Sequence, residues 1–555
     1  MEAASEVRAG LAQRLRERAP LAAAVAILLA YGACVDFIAE DAYVSFRCAA
    51  RLLDYGELSF NAGERVEAYT NLLWTLLLAA AAQLGASFEG AARFAGTSCG
   101  LTSLGIVWLW SRELGNPRAG YAALLLALEP CHALWSHLGL EVSLLGCLWC
   151  AAFWLASRPP GPGNSVRLSA LVAAAYLTRP EGMLALPALF GLRSHQLRGR
   201  QRLQTLAALS ALPLATLIAH VGWRRAYYGD WLPNTFYVKA TVSWASLSAG
   251  SGYAVDYLGS SAWLALPLMA AYASRHALRL PPALLAAALL CVALLGYVVC
   301  IGGDYMAASR FLAPLSPLLA VLSAQLMLQI RRAAPLRMRH AWLGLLILGA
   351  LLAGRRTFSE LTTREDGFIT RLGAMRAYVE NWQVIGSWMH PHVPPDFTIT
   401  SSAIGIAAWS VYPARVIDAR GLADRWVARH GERQTFRPGH EVFAPDSYLL
   451  AKHPELLMHR YVLAKTEDLQ RATERVRAPG YHPSCVRLPL RDASWFCFGQ
   501  RDDVSFAGIG RRPAGRERPA ALFDPATQKL EWIEVSRPGS ESRAPRAVGS
   551  RPRTR

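Results

Sequence analysis

Glu40 and Asp41 stand side by side where an apolar segment ends, and Arg47 follows six residues after Asp41. Adjacent carboxylates of this kind can do general-base chemistry. One takes a proton from a hydroxyl while its neighbour tunes the pKa or ligates a cation. A charged cap closing a helix leaves the same mark. A second constellation, Leu177-Thr178-Arg179-Pro180-Glu181-Gly182, sits inside an apolar block. A charge there costs about 2.5–3.5 kcal/mol, so Arg179 and Glu181 pair with each other or face a wet cavity. Pro180 and Gly182 break the helix, which is tolerated where backbone lines a cavity, and a plain Arg–Glu bridge at a hairpin tip is the alternative. Third come Arg224 and Arg225, then Asn234 and Lys239, among Trp223, Tyr227, Tyr228 and Tyr237. Aromatic belts are ordinary at an interface, but positive charge on the outer side suits an anionic lipid phosphate. Asp304 and Arg310 repeat the pairing of an acid with an arginine at a helix end. The polar half adds Asp418, Gly421, Asp424 and His440, and a lone histidine in such a domain is more often structural than catalytic.

These groups need a scaffold, and the composition names it. The chain has 555 residues, 53% hydrophobic and 18% charged. Its apolar residues fall in blocks long enough to cross a hydrocarbon core of roughly 30 Å. A purely soluble enzyme and a disordered chain are both excluded. All but four of the 58 basic residues are arginine, and the net charge is +18. Much of the excess lies in short connectors and the tail, where it sets membrane orientation. No basic face with interleaved aromatics appears, so nucleic acid is not an expected partner. Residues 1–19 and the arginine-rich connectors (Arg193 to Arg202, Arg275 and Arg279, Arg331 to Arg339) belong on the cytoplasmic side. The apolar helix from about Leu21 to Ile38 has no cleavage site after it and reads as a retained first span.

The expected fold is an α-helical polytopic membrane protein with about 11 transmembrane helices over 20–354 and a first outer loop at 39–90. A small periplasmic α/β domain follows at 355–505, with strand-like runs such as FTITSS, ARVIDA and LLMHRYVL, and then an Arg/Pro-rich disordered tail at 506–555. In one reading 68–86 crosses and 168–192 is a single broken span. In the other, preferred here, 68–86 lies along the outer surface and 168–192 is a hairpin, which puts Glu141 and Glu181 outside with the other acids. Cys485 and Cys497 flank two β-like runs and could form a disulfide in an oxidising compartment.

The motifs EDAYVSFR, FNAGERVEAYTNLLW, LTRPEG, YYGDWLPNTFYVK, GGDYM with RFLAPLSPLL, and IDARGLAD with RPGHE occur in that order. Together they resemble the GT-C class of polyprenyl-phosphate-sugar-dependent membrane glycosyltransferases, most of all the terminal β-(1→2) arabinofuranosyltransferases of bacterial cell walls. The resemblance implies a bacterial inner-membrane enzyme that moves a sugar, best matched by arabinofuranosyl, from a polyprenyl-phosphate donor to an extracytoplasmic glycan. It implies Asp41 as general base with Glu40 beside it, and Arg47, Glu67, Tyr69 and Asn71 around the same cavity, with Glu141 in the second outer loop. Glu-Asp replaces the Asp-Asp of many relatives, and Ala68 replaces a usual Gly. The residues add that a lipid-phosphate leaving group needs no nucleotide site, and none appears. Lys239, Arg310, Arg224 or Arg225 would hold the phosphate. No cofactor is specified by the sequence, and a divalent cation at the paired acids stays open. Another lipid-linked sugar moved to lipid or protein, or transport of polyprenyl lipids, are the competing readings.

Overall fold

The computed structural model describes residues 2–239, 243–259, 261, 263, 266–276, 279–362, 372–433, 441–515 and 518–535. Among them, four helices are individually long and apolar enough to cross a membrane: Gly199–Tyr228, Pro282–Ile301, Ala313–Ala333 and Leu336–Arg355. Shorter apolar helices, Arg18–Cys34, Leu72–Gln83 and Val142–Ala156, pack among them. Several apolar blocks are therefore broken rather than continuous. The 119–137 block forms Ala119–Ala127 and Pro130–Trp135, with Glu129 between them. Within 68–86 only Leu72–Gln83 is helical, 12 residues. At 1.5 Å per residue that is about 18 Å, well short of a bilayer core.

The 168–192 block doubles back. Pro162–Thr178 runs to a short 3-10 turn at Pro180–Leu184, and Ala185–Gln196 returns. A Cβ at Gly182 would lie 2.1 Å from the Ala175 carbonyl oxygen, so only glycine lets the turn fold onto the preceding helix. At the far end Arg193 donates to the Arg158 carbonyl, just before that helix begins. The tip carrying Arg179 and Glu181 therefore lies at the end of the bundle opposite Arg158 and Arg193.

The first helix stops at Cys34, and the next begins after Asp41. Arg93 donates to the freed carbonyls of Val35 and Phe37, and the Ala39 N–H to the Leu138 carbonyl. Loop 35–41 is thus tied to its neighbours on both sides, which fixes the two acids at its end.

The polar half is a mixed seven-stranded sheet of order β2-β1-β5-β7-β6-β8-β9. Its strands are β1 (Thr398–Ser401), β2 (Arg415–Asp418), β5 (Leu456–Ala464), β6 (Tyr481–Arg487), β7 (Trp495–Arg501), β8 (Pro519–Asp524) and β9 (Lys529–Glu534), while β3 (Glu432–Arg433) and β4 (Val442–Phe443) form a separate pair. Trp382 and Trp388, from the Leu372–Met389 helix, pack on Phe496 and Phe506. On the other side the Leu469–Val476 helix covers Cys485 and Cys497, which face each other across β6 and β7 and are bonded. The expected disordered tail from 506 is corrected through Glu534. β8 pairs in parallel with β6, and β9 pairs antiparallel with β8. Their buried Ala520, Ala521 and Phe523 are apolar residues that the surrounding Arg, Pro and Gly had masked.

Candidate active site

Asp41 is the centre of a buried polar cluster. Its Oδ2 accepts from Arg310 Nη1 at 2.6 Å, and its Oδ1 from the Tyr305 hydroxyl at 3.1 Å. Arg310 also pairs with Asp304 at 2.6 Å. The arginine side chain is 5% exposed and that of Asp41 26%, so Asp41 is the member of the cluster a ligand can reach. Glu40 lies between Asp41 and the sheet domain: its carboxyl is hydrogen-bonded to that of Asp41, and the Gly405 N–H donates to its Oε1 at 2.6 Å.

The two acids sit in opposite electrostatic states. Burial pushes the Glu40 carboxyl above the usual carboxylate range, and the neighbouring Asp41 charge pushes it further. Asp41 feels the same burial, but Arg310 and Lys239 outweigh it and hold the carboxyl below that range. The pair therefore carries one proton on Glu40 and one charge on Asp41. The Lys239 ammonium is pushed down by burial, while the charges of Asp41 and Asp304 oppose that shift. The Lys239 ammonium makes no hydrogen bond or ion pair among the described residues.

A second buried network lies beside the first. Glu141 Oε1 meets Arg179 at 2.7 Å, and its Oε2 accepts from Asn71 Nδ2 at 2.8 Å. Arg179 pairs with Glu181 as well. Phe311 joins the two networks, its ring centroid 5.0 Å from both the Arg179 and the Arg310 guanidinium carbons. Glu67 pairs with Arg224, and Tyr69 shares a hydrogen bond with Tyr228. No group of three or more His, Cys, Asp or Glu that could hold a metal stands together among the described residues.

A crystal structure of ArnT from Cupriavidus metallidurans bound to undecaprenyl phosphate superposes with a TM-score of 0.57 at 13% identity, over 87% of this chain and 98% of that one. The apo ArnT structure gives 0.54 at 15% identity, over 88% and 98%. The chain has the GT-C fold. The terminal β-(1→2)-arabinofuranosyltransferase of Mycobacterium tuberculosis (strain ATCC 25618 / H37Rv) is 28% identical over 240 residues. That match covers 39% of this chain and only 37% of the relative. A family model described as a domain of unknown function, DUF8728, matches residues 373–506.

On the GT-C scaffold the residues expected from sequence separate into groups. Asp41, Asp304, Arg310 and Lys239 form one cluster, with Glu40 at its edge; Glu141, Arg179, Glu181 and Asn71 form the adjoining one. Arg224 is neutralised by Glu67, and Arg225 lies at the surface, bonded to the Gly229 carbonyl and set over Trp231. Arg47 departs from the expected cavity-lining role. It is fully buried and donates to the carbonyls of Phe60, Ala408 and Ala414 and to Asn61 Oδ1. Every one of those partners is a protein acceptor, so Arg47 fastens the sheet domain to the first outer loop. Asn234 has a similar structural part, its Nδ2 on the carbonyls of Gly421 and Leu422. His440 lies outside the described residues. Tyr305, Phe311 and Gly405 were not singled out from sequence. Tyr305 stands inside the GGDYM motif, whereas nothing local marks Gly405.

Gly405 is the tightest point of the seam. A Cβ there would lie 2.1 Å from the Glu40 carbonyl oxygen and 2.5 Å from its Oε1. Gly405→Ala is expected to cost about 1–3 kcal/mol by overpacking and to loosen this contact. Thermal unfolding, with limited proteolysis at the seam, checks it; an unchanged melting point and cleavage pattern would show that the contact is slack.

Proposed function

We propose that this chain is an inverting glycosyltransferase acting on a polyprenyl-phosphate-linked sugar outside the cytosol. The observation that carries this reading is the meeting of one reachable, ionised carboxylate, Asp41, with Arg310 and the uncommitted Lys239. The acceptor hydroxyl oxygen attacks the anomeric carbon, the bond from that carbon to the phosphate oxygen breaks, and the hydroxyl proton passes to Asp41. The electron pair of the broken bond leaves with the polyprenyl phosphate, whose charge Lys239 and Arg310 meet. General-base help of this kind contributes about 10²–10⁴-fold, and fixed cations act on the leaving group without reorganisation.

The chain's similarity to an arabinofuranosyltransferase supports arabinofuranose as the sugar, with a glycan as acceptor. The Cys485–Cys497 disulfide supports an extracytoplasmic sheet domain and hence an outward-facing site. Clustering of the charges at one end of the bundle, rather than at mid-depth, favours transfer over transport. The test is incubation of the purified protein with polyprenyl-phosphate pentose and hexose donors and a panel of glycan, lipid and peptide acceptors. Transfer with inverted anomeric configuration is the expected product; export of intact lipid without transfer would overturn the reading.

The proton arrangement predicts a pH effect. With its pKa raised, Glu40 is neutral at low pH and ionises as pH climbs through the neutral-to-alkaline range. A second negative charge beside Asp41 then competes for Arg310 and Lys239. The rate should therefore fall on the alkaline side, and Glu40→Gln, neutral at every pH, should remove that limb. A pH–rate profile with the same alkaline limb in both enzymes would assign the titration elsewhere.

A further inference from the structure

Lys239 ends a six-residue helix, Asn234–Lys239. A helix that short has no stability of its own in water, so its position is set by whatever it packs against. The partner is the Arg425–His430 helix of the sheet domain. Val238 is buried among Val427, Ala428 and Val442. Along the edge of this apolar contact, Arg429 Nη2 meets Asp230 Oδ1 at 2.6 Å, Arg425 meets Asp230 Oδ2 at 3.0 Å, and the Arg429 guanidinium stacks over Tyr237 at 4.1 Å. Arg429 also donates to Asn234 Oδ1 at 3.4 Å. The Arg425–His430 helix is itself fixed, because Asp424 accepts from the Val427 N–H at 2.9 Å. The Lys239 ammonium remains, near enough to feel the charges of Asp41, Arg310 and Asp304 and bonded to no described residue.

We infer that Arg429, through Asp230 and Tyr237, is a positioning residue that holds Lys239 at the donor phosphate, so that the sheet domain sets donor affinity in the membrane half. This rests on the reading of Lys239 as the phosphate cation. Arg429 lies outside the reacting cluster and acts only through the short helix. A 1 Å displacement at a reacting group can cost about 10²-fold, and a side chain at the end of a single helical turn is easily displaced by that much.

The decisive experiment is a double-mutant cycle on Arg429→Met and Lys239→Ala, with polyprenyl phosphate as probe. Arg429→Met keeps the apolar stem and removes the fork. Alone it should weaken polyprenyl phosphate binding about tenfold and lower kcat/KM by at least that factor, while the melting point stays near that of the parent. In the Lys239→Ala background the same change should have little further effect, since groups acting through one another are not additive. Arg429→Lys should recover part of the affinity. Additive losses, or a fall in kcat and melting point together, would overturn the inference and leave the function intact. If the parent protein binds no polyprenyl phosphate, the proposed function fails instead. The inference is then read from acetylation of Lys239 by acetic anhydride: a changed rate in Arg429→Met supports positioning, and an unchanged rate refutes it.

Discussion

Asp41→Asn is expected to bind its lipid-phosphate ligand at least as well as the parent enzyme and to transfer sugar about 10²–10⁴-fold more slowly. The amide is isosteric with the carboxylate, so the loop between the first two helices keeps its shape, and Arg310 keeps its pairing with Asp304. What disappears is the most exposed carboxylate of the cluster among the described residues. The depressed pKa of Asp41 makes it a weak base at rest, because Arg310 and Lys239 stabilise its charge. A bound donor changes that balance. Its phosphate competes for both cations, the carboxylate loses part of their stabilisation, and its proton affinity rises when the acceptor hydroxyl arrives. The loss of kcat should fall within the 10²–10⁴-fold given by general-base catalysis, or about 2.7–5.5 kcal/mol in barrier. Phosphate affinity should be unchanged or improved, since one competing negative charge is gone. Measured kcat beside polyprenyl phosphate affinity separates the two effects. A variant that still turns over at the parent rate would transfer the base role to Glu40.

Legibility from sequence followed the physics of each residue. Charges inside or next to apolar blocks are expensive, so Glu40, Asp41, Arg179 and Glu181 stood out, and the hairpin tip at Arg179 lies at the opposite end of the bundle from Arg193. The cross-strand disulfide was legible because both cysteines flank β-like runs. Three kinds of feature were not. Strands β8 and β9 are six residues each and set in Arg-, Pro- and Gly-rich surroundings, so composition outweighed their apolar content. The family resemblance implied that Arg47 lines the cavity, but its partners are mostly backbone carbonyls, which leave no trace in residue types. The Gly405–Glu40 contact joins residues 365 apart; only tertiary packing creates it, and one sequence without its fold carries no sign of it. The corrections have a common source. The sheet domain, expected only as a small outer α/β domain, supplies the amide on Glu40, two of the acceptors of Arg47 and the helix under Lys239.

Arg310→Met should be the most damaging single change. Arg310 is buried and is shared by Asp41 at 2.6 Å and Asp304 at 2.6 Å, while its guanidinium faces the Phe311 ring. Methionine fills much of the same volume but takes the cation from a buried carboxylate, Asp304, and a partly exposed one, Asp41. Breaking a buried pair from one side costs about 3–5 kcal/mol, and here one cation serves two anions. Thermal unfolding in detergent should show that loss, and transfer should cease. A second substitution separates stability from chemistry. Asp304→Asn added to Arg310→Met removes one stranded charge and should restore part of the melting point, yet transfer should stay absent because the phosphate and Asp41 still lack their cation. Arg310→Lys should fall between, since a single ammonium cannot reproduce the fork that spans both acids. If the double variant regained activity together with stability, Arg310 would be a structural counter-ion for Asp304, and Lys239 alone would meet the leaving phosphate.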